Sequence, residues 1–311
     1  MIDVRGLEKS FGDKVVLDKL SFSIGHNDIY GLLGPNGAGK TTTINILCNL
    51  LDADAGTISI QGNPISETTK QLVGLVPQEI SIYQDLTCKE NLQFFARIYG
   101  LQGSKKADRI NALINELKLN TYENVKVSNM SGGWRRRVNI AVALVHSPAI
   151  LILDEPTAGL DIEARYELWE LIRNFKHSGV SILLTTHQLE EAERLCSRIG
   201  ILQKGCIIAE GPLDKLRTLV PAKQIAVIET ADEQVLCDKA RSFGWEHRRY
   251  GGRVTLLLPE KYTLKDVVNK FNGIPLSSIS LQEVGLEHVY LEVTRNHSSD
   301  GIKLTPTGGD K

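Results

Sequence analysis

Cysteine is scarce and scattered in this 311-residue chain: Cys48, Cys88, Cys196, Cys206 and Cys237 are odd in number and form no C-x-x-C pair. That excludes a disulfide-stapled scaffold and a zinc-binding cysteine cluster, and points to reduced thiols in a cytosolic compartment. Excess charge of either sign is lacking too. The chain has 36 Lys and Arg against 37 Asp and Glu, a formal net charge of −1, so no bulk attraction to nucleic acid or to an acidic membrane exists. Long apolar runs are also missing. The longest, around residues 140–153, is broken by His146, Ser147 and Pro148 and falls short of the roughly 18 residues a membrane span needs. The opening MIDVRGLEKS carries charge from its third residue and holds no signal-peptide core, so the chain is expected to stay inside the cell. No Asn-Lys-x-Asp base-reading motif of a GTPase occurs, and no long coiled-coil insertion. What is present is 42% hydrophobic content, enough for a sizeable core, and a length that suggests about two domains.

Residues 34–42 read GPNGAGKTT, which fits G-x-x-x-x-G-K-[ST]. In such a loop small residues let backbone N–H groups turn inward around phosphate oxygens, and the helix that follows offers its positive N-terminal end. Asn36, Gly37, Gly39, Lys40, Thr41 and Thr42 are therefore candidate nucleotide-binding residues. Lys40 is expected to reach the β- and γ-phosphates and Thr41 to place its hydroxyl on Mg²⁺. The apolar run Ile29–Leu33 supplies the buried strand that delivers the loop. About a hundred residues on, Ile150–Leu153 forms a second apolar run ending in Asp154-Glu155-Pro156. A buried strand thus carries two carboxylates to the carboxyl edge of a sheet, where ligands of open α/β folds sit. Asp154 is the expected Mg²⁺ partner, and Glu155 the group that polarises the water attacking the γ-phosphate.

Between these motifs lies NMSGGWRRRVNIAVAL. Ser131-Gly132-Gly133 precedes the apolar periodicity of Val138, Ile140, Ala141 and Leu144, so it reads as a helix start capped by serine, a position that attracts anions. Arg135-Arg136-Arg137 on one turn reads as a solvated basic face. His187 follows the strand 180–184 through two threonines and reaches the same sheet edge, where it can hydrogen-bond a γ-phosphate. Gln78 ends the strand Val73–Val76.

The chain resembles the ATP-binding subunits of ABC transporters over about residues 1–220, with six motifs in the family's order. The resemblance implies that Phe11, in KSFGDKVVL, stacks on the base, that Gln78 senses Mg²⁺ and the attacking water, and that His187 is the switch histidine. It makes Glu155, His187 and Gln78 the catalytic set, and Thr41, Gln78 and Asp154 the metal set. Ser131 and Gly133 would hold the γ-phosphate bound by an opposite subunit, and Asp161, in AGLD as the D-loop, is likewise implied to be a nucleotide-binding residue. ATP and Mg²⁺ are the implied cofactors. The implied partners are separate transmembrane permease subunits and a second ATP-binding subunit, in a homodimer or heterodimer at the cytoplasmic face of the cell membrane; no nucleic acid is expected. Two positions depart from the commonest signature: Met130 stands where leucine is usual and Trp134 where glutamine is usual. The stretch LTCKENLQFFARIYGL resembles subunits of ABC-2 type exporters of drugs, polysaccharides and lipids. An importer subunit, or a soluble ABC-type ATPase acting on nucleic acid or ribosomes, is the alternative.

The expected architecture is α/β: a P-loop ATPase core with an antiparallel β subdomain and an inserted helical subdomain over about 86–146, then a small α+β C-terminal domain. Short strands are expected around residues 2–4, 15–17, 22–24, 57–60 and 73–76, with the phosphate-loop helix over about 40–51. The segment 213–220 reads as the last helix of the first domain, 1–220. Residues 221–295 alternate short strands and helices without a phosphate motif, with a ferredoxin-like arrangement as the form considered. Residues 296–311 are poor in apolar groups and expected to be disordered.

Overall fold

The structure, a computed structural model, describes residues 1–300. Two compact units divide the chain, the first Met1–Pro212 and the second beginning at Leu213. In chain order the first holds β1 (Ile2–Phe11), β2 (Lys14–Ile24), β3 (Ile29–Leu33), α1 (Lys40–Leu47), β4 (Ala55–Ile60), β5 (Asn63–Pro64), α2 (Glu67–Lys70), β6 (Val73–Val76), α3 (Cys88–Ile98), α4 (Gly103–Glu116), α5 (Gly132–Leu144), β7 (Ile150–Asp154), α6 (Ile162–His177), β8 (Ser181–Thr186), α7 (Leu189–Leu195), β9 (Arg198–Gln203) and β10 (Cys206–Gly211).

Six strands form the central sheet in the order β10-β9-β3-β8-β7-β6, parallel except for β10 at one edge. Every residue of β3, β7 and β8 is buried; strands covered on both faces need no in-out alternation, which is why their sequences show none. Register then places the site. Leu33 lies opposite Thr186, Asp154 opposite Thr185, and Val76 opposite Leu153. Four connections therefore leave neighbouring strands at one carboxyl edge: the glycine-rich loop, the Pro77-Gln78 turn, Glu155 and His187.

A separate antiparallel sheet runs β2-β1-β4-β5. The expected strands at 15–17 and 22–24 are the two ends of one strand, β2. Its pairing with β1 shifts register between Leu7 and Lys9, and Lys19 between the two ends has a φ of 51°; a bulge of this kind breaks the period-2 pattern without ending the strand. The phosphate-loop helix is also shorter than expected. It stops at Leu47 because Asn49 adopts a φ of 53°, a left-handed geometry that asparagine tolerates at helix ends.

The helical subdomain is α3, α4 and α5, packed through Leu92, Ala96, Ile110, Leu113, Val138 and Ala141. Each large side chain buried there is worth roughly 1.5–3 kcal/mol. The start of α3 is a capping box, Thr87 and Glu90 bonding each other's backbone N–H groups at 2.8 and 3.2 Å, a device worth about 1 kcal/mol.

In the second unit, α8 (Leu213–Arg217), β11 (Gln224–Glu229), α9 (Glu233–Ser242), β12 (Glu246–Tyr250), β13 (Arg253–Leu258), α10 (Leu264–Lys270), β14 (Ser278–Gln282) and α11 (Leu286–Asp300) follow one another. The sheet order β12-β13-β11-β14, with every pair antiparallel, interleaves two βαβ crossings in the ferredoxin-like manner. Trp245, Phe271, Leu236, Leu256 and Val267 build its core. Helix α8 packs on α11, with Leu216 buried, so the units divide at Pro212 rather than near residue 220. Strand β12, EHRRY, carries no apolar run and escapes a periodicity reading; it is an edge strand, where charge is tolerated, and its Arg248 is paired with Glu292 of α11 at 2.9 and 3.1 Å. Helix α11 runs through Asp300, so the first five residues of the expected tail are helical; residues 301–311 lie outside the described residues. Among the described residues no helix is long and apolar enough to cross a membrane.

Candidate nucleotide site

The glycine-rich loop is shaped by its second and third glycines. Gly39 sits at φ 110°, and a Cβ there would come within 2.6 Å of Leu17 Cδ2 and 3.0 Å of the Val16 carbonyl. No side chain with a β-carbon fits that turn. Gly39 is also the N-cap of α1, which has no side-chain cap and no acidic residue in its first turn. Its leading N–H groups, which a helix cannot satisfy internally, are thus left for an anion.

Beneath this cradle lie the charged groups. Lys40, only 6% exposed, donates its Nζ to the carbonyls of Gly34 at 2.7 Å and Pro35 at 3.2 Å, and pairs with Glu155 Oε1 at 3.2 Å. The second Glu155 oxygen lies 2.8 Å from His187 Nδ1. Glu155 itself has a φ of 47°, a left-handed geometry that a glutamate adopts at a cost of about 1–3 kcal/mol and that concentrates at working sites. It is held there by its N–H, which donates to the Thr185 carbonyl at 3.0 Å. Asp154 accepts from the Thr185 hydroxyl and, at 3.3 Å, from Thr41 Oγ1.

One cavity of about 260 Å³ gathers Asn36, Gly37, Gly39, Lys40, Thr41, Thr42, Gln78, Asp154 and Glu155. Lys14 and Val16 of β2 also line it and were not anticipated. Lys14 is the register partner of Phe11 across the tight turn, and the cation over the Phe11 ring is that of Lys9, 5.6 Å from its centroid. Phe11 is 52% exposed at the end of β1, a presentable ring rather than a core phenylalanine. His187 joins through Glu155. Ser131, Gly133 and Asp161 do not line this cavity.

Sequence comparison bears on the same residues. A family model described as ABC transporter matches residues 17–158. Nod factor export ATP-binding protein I of Burkholderia orbicola is 39% identical over 305 residues, covering 96% of this chain and 98% of its own. The chain belongs to the ATP-binding subunits of ABC transporters. A solved ATP-binding subunit of an ABC transporter is similar at 33% identity and a TM-score of 0.64, over 70% of this chain and 92% of that one. A dimeric bacterial ABC transporter cassette is similar at 25% identity and a TM-score of 0.62, over 68% of this chain and 98% of that one. Membership makes this chain an ATPase coupled to transport; ABC ATPases bind ATP, form dimers and work with transmembrane subunits.

The segment that carries the ABC signature corrects two expectations. Ser131 holds the N-cap position of α5, yet its side chain makes no capping hydrogen bond, and the first turn carries no acidic residue, so this helix start too is left open. Arg135, Arg136 and Arg137 are not a solvated face. Arg135 donates to the carbonyls of Met130 and Ser128, both at 2.8 Å. Arg136 and Arg137 are 4% and 5% exposed; the first donates to Pro77 and Gln78, the second to Leu117 and the Glu167 carboxylate. Helix α5 is enclosed from its second turn onward, and backbone carbonyls of the surrounding loops accept from the terminal guanidinium nitrogens in place of water. Trp134, in the place of the usual glutamine, turns inward: its ring stacks on Tyr122 at 4.3 Å and lies under the Arg137 guanidinium at 4.5 Å.

Two further residues find structural partners within the chain. Asp161 caps α6, accepting from the Ala164 N–H at 2.8 Å. A Cβ on Gly133 would stand 3.0 Å from the Ala164 methyl, so glycine there lets α5 approach the start of α6. Sequence reading also passed over Glu191 of α7. It is fully buried, accepts from the Thr157 hydroxyl at 2.7 Å and the Trp169 indole at 3.1 Å, and is pushed above the usual carboxylate range by burial, with Glu155 nearby adding to the shift. It ties the segment after Glu155 to the helix that follows His187.

Proposed function

We propose that this chain hydrolyses Mg-ATP at sites completed by a second ATP-binding subunit, and so powers export through separate transmembrane chains. The observation that carries the proposal is the convergence of Lys40, Glu155 and His187, with Thr41 and Asp154 beside them, at the mouth of an uncapped helix. In this reading the loop N–H groups and Lys40 bind the phosphates, exchanging the Lys40–Glu155 contact for a γ-phosphate contact. Glu155 orients the attacking water and accepts its proton, and His187, half exposed and bonded to Glu155, steadies that carboxylate and the phosphate. Phe11 offers a flat face to the base.

The donor set fits Mg²⁺. Thr41 hydroxyl, Asp154 carboxylate and Gln78 amide are all oxygen donors, the first two already 3.3 Å apart, and Mg²⁺ is commonly held by one or two carboxylates with the rest of its shell from phosphate and water. Bound there it neutralises charge on the transferring phosphoryl group. Ser131 and Gly133, at the open start of α5, would face the nucleotide of the opposite subunit, with Asp161 at the same interface. Export is favoured by the name of the Burkholderia orbicola relative, which aligns over nearly the whole chain.

Mixing experiments test the composite site. Glu155→Gln protein is expected to dimerise only when ATP is added, and pairing it with Ser131→Arg protein should leave one intact site in each heterodimer, read as about half the bound nucleotide per dimer. Full activity in a strictly monomeric preparation would overturn the proposal.

The unit beginning at Leu213 is proposed as accessory, because every group lining the phosphate cavity lies before Pro212. A chain ended after Pro212 is expected to bind Mg-ATP within about threefold of the full chain, while its dimer lifetime changes. Lost nucleotide binding in a truncated protein with intact circular dichroism would place part of the site in the second unit.

A further inference from the structure

Gln78 reaches the phosphate cavity from a turn that follows a four-residue strand, β6. Pro77 fixes one φ of that turn, and the turn is also held from behind. Arg136, on the second turn of α5 and 4% exposed, donates Nη1 to the Pro77 carbonyl at 2.7 Å and Nη2 to the Gln78 carbonyl at 2.6 Å. The two acceptors are consecutive, and one planar guanidinium bridges both in a fixed fork; an ammonium is a point charge without that geometry.

The charge itself is costly in this place. Burial lowers the Arg136 pKa, while Asp154 and Glu191 nearby favour its charged form. No carboxylate among the described residues is hydrogen-bonded to it, and its Nε is buried without a partner. A buried cation satisfied mainly by two carbonyls is an expensive anchor if anchoring is its only task. Its position gives it a second one. Arg136 stands five residues after Ser131 on the same helix, so the helix start offered to the opposite subunit and the backbone of Gln78 are joined through a single side chain.

Building on the ATPase reading above, we propose that Arg136 is a positioning residue: it holds the Gln78 turn to the signature helix, so that the placement of α5 sets the distance of Gln78 from the metal and the attacking water. The bond acts through Gln78 and not through the nucleotide. Arg136→Lys, which keeps the charge and loses the fork, is therefore expected to leave ATP affinity in EDTA within about twofold of the unmutated chain, lower kcat about tenfold, and raise the Mg²⁺ concentration for half-maximal turnover about threefold or more. A residue needed only for packing would lower the melting temperature without moving the Mg²⁺ dependence.

The decisive comparison is a double-mutant cycle in the full-length chain. If Arg136 works through Gln78, adding Arg136→Lys to Gln78→Ala costs less than about twofold, against about tenfold in the unmutated background. Equal losses in both backgrounds, or unchanged Mg²⁺ dependence in Arg136→Lys, would overturn the inference while leaving the ATPase reading intact. Absence of Mg²⁺-dependent turnover in the unmutated chain would refute that reading and this inference together. Should Arg136→Lys fail to fold, Arg136→Gln is put through the same cycle with the same criteria.

Discussion

Glu155→Gln is expected to lower ATP turnover at least about 100-fold while ATP affinity stays within about threefold of the unmutated chain. Glutamine matches glutamate in shape, so the backbone at φ 47° and the bond from its N–H to Thr185 can persist. What is lost is the proton acceptor and the negative charge between Lys40 and His187. Loss of that charge also frees Lys40 for phosphate, which is why binding is retained or tightened when turnover collapses. Parallel measurement of phosphate release and of nucleotide binding separates the two effects. Near-normal turnover would remove Glu155 as the group that activates water.

Lys40→Ala is expected to act on the other quantity, weakening ATP binding at least about tenfold, because a fixed cation opposite phosphate oxygens is removed from a site with little access to solvent. The same change should lower the melting temperature by several degrees. Glu155 is 4% exposed, and taking one partner from a buried pair leaves a carboxylate with less compensation, at a cost of up to roughly 3–5 kcal/mol. His187 at 2.8 Å, half exposed, offsets part of it. Titration with a fluorescent ATP analogue measures the first effect and thermal melting the second; unchanged affinity would show that Lys40 is turned toward the Gly34 and Pro35 carbonyls in the bound state as well.

Legibility followed the kind of force that acts on each residue. The strands at 29–33 and 150–153 could be read because burial on both faces demands unbroken apolar runs, and the glycine-rich loop because its backbone geometry admits few other residues. Asp154, Glu155 and His187 could be placed at one edge because each ends such a strand. Arg135 to Arg137 were misread because charge predicts exposure only when water is the best available donor or acceptor, and here the carbonyls of three loops compete with it. Trp134 departs from the glutamine usual at its position, and Tyr122, twelve residues earlier, supplies the ring it stacks on. Strand β12 has no apolar pattern because an edge strand needs none, and the division at Pro212 depends on α8 meeting α11, a contact about 70 residues distant in sequence that no local pattern announces.

Strand β3 has one more consequence, for the making of the protein. Its two neighbours in the sheet, β8 and β9, come about 150 residues later in the order of synthesis. Until they emerge, Ile29–Leu33 has both edges unpaired and both faces apolar, the exposure that invites wrong pairing. A nascent chain that has reached only α5 already carries its phosphate loop, but neither strand that pairs with β3 in the central sheet has yet been made. The ATP site therefore cannot assemble on the ribosome before Thr186 has been added, and a chaperone that shields β3 during that interval would be expected to raise the yield of folded subunit without touching its chemistry.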